Sequence, residues 1–126
     1  FGGLADTEAY LEVLVNFFGG VDANDLLGML NTWQDGDVGK HELFSGDTTA
    51  ALANIKCPAL VMPSATDLSF PARNNIAEVA AMPNAELVVV PTKTGHFAGS
   101  LALALTTQEA VTFQDNEIKK LLKRIG

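Results

Sequence analysis

Asp67 and His96 are the two residues of this chain best suited to do chemistry together. A carboxylate that accepts a hydrogen bond from an imidazole fixes the ring's tautomer and stabilises the imidazolium formed when the ring takes a proton. Such a pair can activate a hydroxyl nucleophile, with His96 as base and Asp67 as its orienting acid. Each residue also has a plainer reading: an Asp after a strand often closes a turn or caps the next helix, and a His at a loop tip is often just exposed. Asp35, Asp37 and His41 are weaker candidates, because they sit in the polar, turn-rich stretch 34–46. His41 and His96 stand 55 residues apart with no Cys partner, which is not the spacing of a zinc site.

The order of elements supports the pairing. Ala59–Met62 and Leu87–Val90 are continuous apolar runs beside prolines, the pattern of parallel strands buried on both faces. Between them, Pro71 opens a helical segment with Ile76, Val79 and Ala80 on one face, and Pro83 closes it. A strand–helix–strand crossover makes its strands parallel, so their C-terminal ends share one edge of the sheet. Asp67 follows the first strand and His96 the second, which brings both to the edge where open α/β sheets hold ligands. Gly95 suits a tight approach there because glycine tolerates positive φ.

Upstream, Asp6 or Thr7 is expected to cap a helix through about Phe18, with Leu11, Leu14, Val15 and Phe18 in one stripe. Gly19-Gly20 ends it, and Asp22 or Asn24 caps a second helix carrying Leu26, Leu27, Leu30 and Trp33. A short helix from Asp47, Thr48 or Thr49 through Ile55 leads into the first strand. Residues 98–104 are small and apolar, suited to begin a helix or line a site floor. Asp115 is expected to cap a final helix with Ile118, Leu121, Leu122 and Ile125 in one stripe.

Composition narrows the classes. The chain has 126 residues, 48% of them hydrophobic and 18% charged, which fits a packed globule. A net charge of −7 disfavours a nucleic-acid partner, since phosphate binding needs clustered cations. No apolar run approaches the roughly 18–20 residues that span a bilayer, so no membrane partner is expected. Cys57 is alone, which forms no internal disulfide and is compatible with a reducing, cytoplasmic setting. Two confident strands are few for a parallel sheet. The expectation is therefore part of a longer protein, with exposed strand edges that favour self-association.

Several segments resemble a known family. They are Asp22-Ala23-Asn24 with the Leu-rich stretch after it, Asp37-Val38, Leu52-Ala53-Asn54-Ile55-Lys56-Cys57-Pro58, Asp67-Leu68-Ser69-Phe70-Pro71 and Gly95-His96. In this order they resemble the C-terminal part of an α/β-hydrolase, and more specifically the homoserine O-acetyltransferases, from about Thr7 onward. The resemblance implies an α/β fold class, the C-terminal portion of an α/β-hydrolase fold, with parallel strands and flanking helices preceded by a helical cap hairpin. Residues 1–46 would be cap segment and connector, and 47–126 part of the core. Asp67 and His96 would be the triad acid and base. Trp33, in the cap, and Phe97 would contact substrate, beside an acyl pocket supported by Phe17, Phe18 and Met29.

The same resemblance implies a small-molecule acyl donor and an alcohol or water acceptor. It calls for no cofactor, and acetyl-CoA would enter only as a substrate. Two departures qualify it. Homoserine acyltransferases usually carry an acidic residue after the His, where this chain has Phe97, which counts against homoserine as acceptor. The family's G-x-S-x-G-like elbow does not occur, and Ser45, Ser64, Ser69 and Ser100 are not on strand-to-helix elbows. The expectation is a chain that supplies acid and base, takes its serine from elsewhere in the protein, and is inactive alone. A different class, a non-catalytic remnant serving as a binding or interaction module, is the alternative. A signalling domain with Asp67 as phosphate acceptor lacks the acidic cluster near the chain start that it needs.

Overall fold

The computed structural model describes residues 5–99 and 105–126. The lead-in at 1–4, Ser100 and most of the small apolar stretch 98–104 lie outside the described residues. The chain forms two compact units, one ending at Asp37 and the other running from Val38. Their charge differs: the first 37 residues hold seven Asp and Glu and no Lys or Arg, while the remaining eight acids match all eight bases. The whole net charge of −7 therefore belongs to the first unit.

In the first unit, α1 (Thr7–Phe18) starts where Asp6 accepts the Ala9 N–H at 2.9 Å. Gly19 ends it, its N–H reaching Val15 O. The second helix, α2 (Ala23–Asp35), is capped by Asp22, which accepts the Asn24 N–H at 2.7 Å. The expected pair of helices thus forms, with its axes at 89°. Among the described residues no single helix is long and apolar enough to cross a membrane. The apolar stripes stay largely exposed, with Val15, Phe17, Met29 and Trp33 all open to solvent.

In the second unit a 3-10 turn, Val38–Lys40, packs against α3 (Thr48–Ala53). Gly39 is the reason they fit: a Cβ there would lie 2.5 Å from the Thr48 nitrogen. Helix α3 is capped by Asp47 and ends at Asn54. Strand β1 (Ala59–Val61) then pairs in parallel with β2 (Ala85–Leu87), and α4 (Ala72–Ala81) makes the crossover. Parallel strands with flanking helices give the α/β class expected from the sequence.

Four expectations shift. The second strand pairs from Ala85, two residues earlier than the apolar run. Its hydrogen bonds continue past the regular ladder, from Val88 N to Val61 O (3.0 Å), Val90 N to Pro63 O (2.8 Å) and Ala65 N to Val90 O (3.0 Å). Pro63 has no N–H to donate, which breaks the regular ladder without changing its register. The strands are half-buried instead of covered on both faces. Among the described residues, only Val90, 1% exposed, is a fully enclosed large side chain. The last helix, α5 (Gln108–Ile125), begins well before Asp115, at a Thr107 cap that accepts the Ala110 N–H. Asp115 lies inside it and pairs with Lys119 one turn on. The packed face runs through Ala110, Gln114, Glu117 and Leu121, whereas Ile118, Leu122 and Ile125 are exposed.

Candidate active site

The two strands deliver Asp67 and His96 to the same edge, and the side chains meet. His96 Nδ1 donates to Asp67 Oδ2 at 3.1 Å. The other carboxylate oxygen, Oδ1, accepts the backbone N–H groups of Ser69 (2.8 Å) and Phe70 (2.9 Å). Asp67 therefore closes the turn before α4 and orients His96 at once, one oxygen for each task. The plainer reading of an Asp after a strand, a turn closed by its carboxylate, thus coexists with a direct contact to His96.

The pair is asymmetric in exposure. The Asp67 side chain is 9% exposed, and that of His96 54%. The Phe70 N–H holds the Asp67 carboxyl below its ordinary pKa, against the desolvation that raises it, and the bonds from His96 and Ser69 lower it further. The carboxylate thus stays charged beside the ring. The tautomer in which neutral His96 donates its Nδ1–H to Asp67 leaves Nε2 as the acceptor, the form a general base needs.

The ring is also held by its neighbours. Phe70 packs against it with centroids 5.2 Å apart, and Phe97 meets it edge-on at 6.3 Å. Phe97 thus stands beside His96. Gly95, at φ +57°, turns the chain into a short 3-10 helix, Gly95–Gly99, that carries His96. A cleft of about 330 Å³ opens beside the pair, lined mainly by Met62, Pro63, Ser64, Phe70 and Ala98. Among the described residues that line it, only Asp67 and His96 carry an ionisable side chain.

The remaining sequence candidates fall elsewhere. Trp33 lies on α2 in the first unit, beside an open groove with Gly28, Met29 and Thr32. Asp35 is the last residue of α2 and Asp37 the last of that unit. His41 accepts the Leu43 N–H in a turn at 3.2 Å. Ser64, though it lines the cleft, is 4% exposed and uses its hydroxyl to accept the Thr66 N–H at 3.3 Å. Among the described residues no group of three or more His, Cys, Asp or Glu is placed to hold a metal ion.

Three residues that tie the loops around the site together were not identified from the sequence. Thr66 Oγ1 donates to Thr92 O at 2.9 Å and accepts the Gly95 N–H at 3.1 Å. Gln114 on α5 and Thr106 both donate to Ala98 O, at 2.6 and 3.2 Å, which ties the His96 segment to the last helix. These bonds link residues 8 to 29 apart. A single sequence offers no periodic signal for them.

Comparison with known proteins gives two relatives. The chain is 35% identical over 122 residues to a probable esterase of Corynebacterium glutamicum, a match covering 96% of this chain and 33% of that protein. It is 36% identical over 80 residues to an ethyl acetate hydrolase of Pseudomonas veronii, covering 64% of this chain and 22% of that protein. The chain thus spans about a third of the first relative's length and less of the second's. Both are named for ester hydrolysis, and neither as a homoserine O-acetyltransferase. No protein-family model matches the chain. No solved structure matches it.

Proposed function

We propose that this chain is the C-terminal part of a serine ester hydrolase of the α/β-hydrolase type, in which Asp67 and His96 are the triad acid and base. The observation that carries this reading is the 3.1 Å bond between His96 Nδ1 and an Asp67 carboxylate already held by two backbone N–H groups. The similarity to proteins named esterase and ethyl acetate hydrolase supports the same chemistry. The cleft lining favours an uncharged ester, since Met62, Pro63, Phe70 and Ala98 offer nothing to pair with a charge.

In this reaction the proton of a serine hydroxyl passes to His96 Nε2 as the oxygen attacks the ester carbonyl. The tetrahedral adduct collapses, and the leaving alcohol takes that proton from Nε2. Water then gives a proton to Nε2 as it attacks the acyl-enzyme. As that adduct collapses, the serine oxygen takes the proton back from Nε2, releasing the carboxylic acid and restoring the free serine hydroxyl and neutral His96. Throughout, Asp67 stays ionised and stabilises the imidazolium. The serine and the oxyanion donors belong, on this reading, to parts of the protein outside these 126 residues, and the isolated chain turns over no ester. An alcohol in place of water makes the same machinery an acyltransferase. With Phe97 in place of an acid beside His96, an amino-bearing acceptor such as homoserine finds no counter-charge there.

A fluorophosphonate probe tests the reading on the natural-length protein. Labelling of one serine, lost or slowed at least about 100-fold by His96→Ala, is the expected result. A protein that resists the probe while folded would be a non-catalytic relative that binds without turnover.

A further inference from the structure

We propose that Thr66 is a positioning residue for His96, a hydroxyl latch that holds the two loops of the site in register. The inference rests on the triad reading above and extends it to a residue that touches neither substrate nor proton.

The latch follows from what a single hydroxyl can do. Thr66 immediately precedes Asp67, in the loop after β1, whereas Thr92 and Gly95 lie in the loop after β2. Through one oxygen Thr66 donates to Thr92 O and accepts from Gly95 N, using its one proton and one lone pair. The two bonds cross 26 and 29 residues of sequence. They fix Gly95 where its φ of +57° turns the chain and aims His96 at Asp67. The approach is close: a Cβ on Gly95 would touch Thr66 O at 3.4 Å. The second loop is also braced from within, since the Thr92 and Thr94 hydroxyls lie 3.0 Å apart and Thr92 Oγ1 accepts the Thr94 N–H. Thr66 is itself exposed, so it contributes little to a core. Its geometric role exceeds its packing role.

A valine at this position keeps the shape and loses both bonds. A serine keeps both bonds. Thr66→Val, Thr66→Ser and His96→Ala are compared in the natural-length protein by kcat and KM on a short-chain nitrophenyl ester, with Tm as a fold check. Thr66→Val is expected to lower kcat about 10- to 100-fold at unchanged KM, the penalty of a slightly misplaced base, while Thr66→Ser stays close to wild type. If Thr66→Val yields no folded protein, Thr66→Ala against Thr66→Ser makes the same comparison. Wild-type kcat in Thr66→Val alongside an inactive His96→Ala would overturn the latch and leave the triad reading standing. An active His96→Ala would overturn both.

Discussion

The Asp67 carboxylate does two jobs that are separable by substitution. Asparagine keeps the shape and an acceptor oxygen for the turn, yet it no longer offers a charge to His96. Asp67→Asn in the natural-length protein is therefore expected to lower kcat about 10³- to 10⁴-fold with a small change in KM. The same residue predicts a pH effect on stability. Its folded pKa lies below the ordinary value because the Phe70 N–H, then His96 and Ser69, bind the charged form. Its stabilising contribution is therefore fully present above the ordinary carboxylate range and is lost as pH falls through the folded value. The gap in Tm between wild type and Asp67→Asn should be widest near neutrality and close in acid. A gap that widens in acid would contradict this assignment. Asp67 and His96 were legible in the sequence because strand order alone brings them to one edge. Thr66 was not, because its partners are fixed only once the two loops lie side by side.

At the scale of elements, two close approaches govern the second unit. Gly39 lets the Val38–Lys40 turn lie on the start of α3, where any Cβ would collide with backbone. Gly39→Ala should destabilise by about 1–3 kcal/mol in urea unfolding, since the obstacle is main chain and cannot rotate away. Gly95→Ala should cost about 1–2 kcal/mol for its left-handed backbone and reduce activity as well, because His96 is the next residue. Equal stability in either variant would show that the backbone there has room to shift. The caps at Asp6, Asp22 and Asp47 were readable from sequence, since a cap is a contact within three residues. The start of α5 was not. Thr107 and Asp115 are both competent caps by type, and what extends the helix to Thr107 is tertiary. Ala110 and Gln114 pack against the rest of the unit, with Gln114 bonding Ala98 O at 2.6 Å. The shifted strand has a similar cause, because the apolar run ending at Val90 marks the best-buried residue and not the first hydrogen bond.

At the scale of the whole chain, a parallel pair of three-residue strands is a small sheet, and among the described residues β1 and β2 pair only with each other. Such a pair is marginal on its own in water. Expressed alone, these 126 residues should self-associate or bind a hydrophobic dye strongly; a well-behaved monomer by size-exclusion would argue that the strand edges are protected. Charge is unevenly spread as well, with the entire excess of −7 in the first 37 residues. That asymmetry was legible in the sequence, whereas the exposure of the α1 and α2 apolar faces was not, since amphipathic spacing promises a buried stripe without saying what covers it. The central claim, that Asp67 and His96 form the acid–base half of an ester-hydrolysing triad, is tested most directly by ester turnover in the natural-length protein with and without His96. The account predicts that His96→Ala lowers kcat/KM for a short-chain ester by about 10³-fold or more while Tm stays near wild type. Wild-type turnover in a folded His96→Ala protein would contradict it.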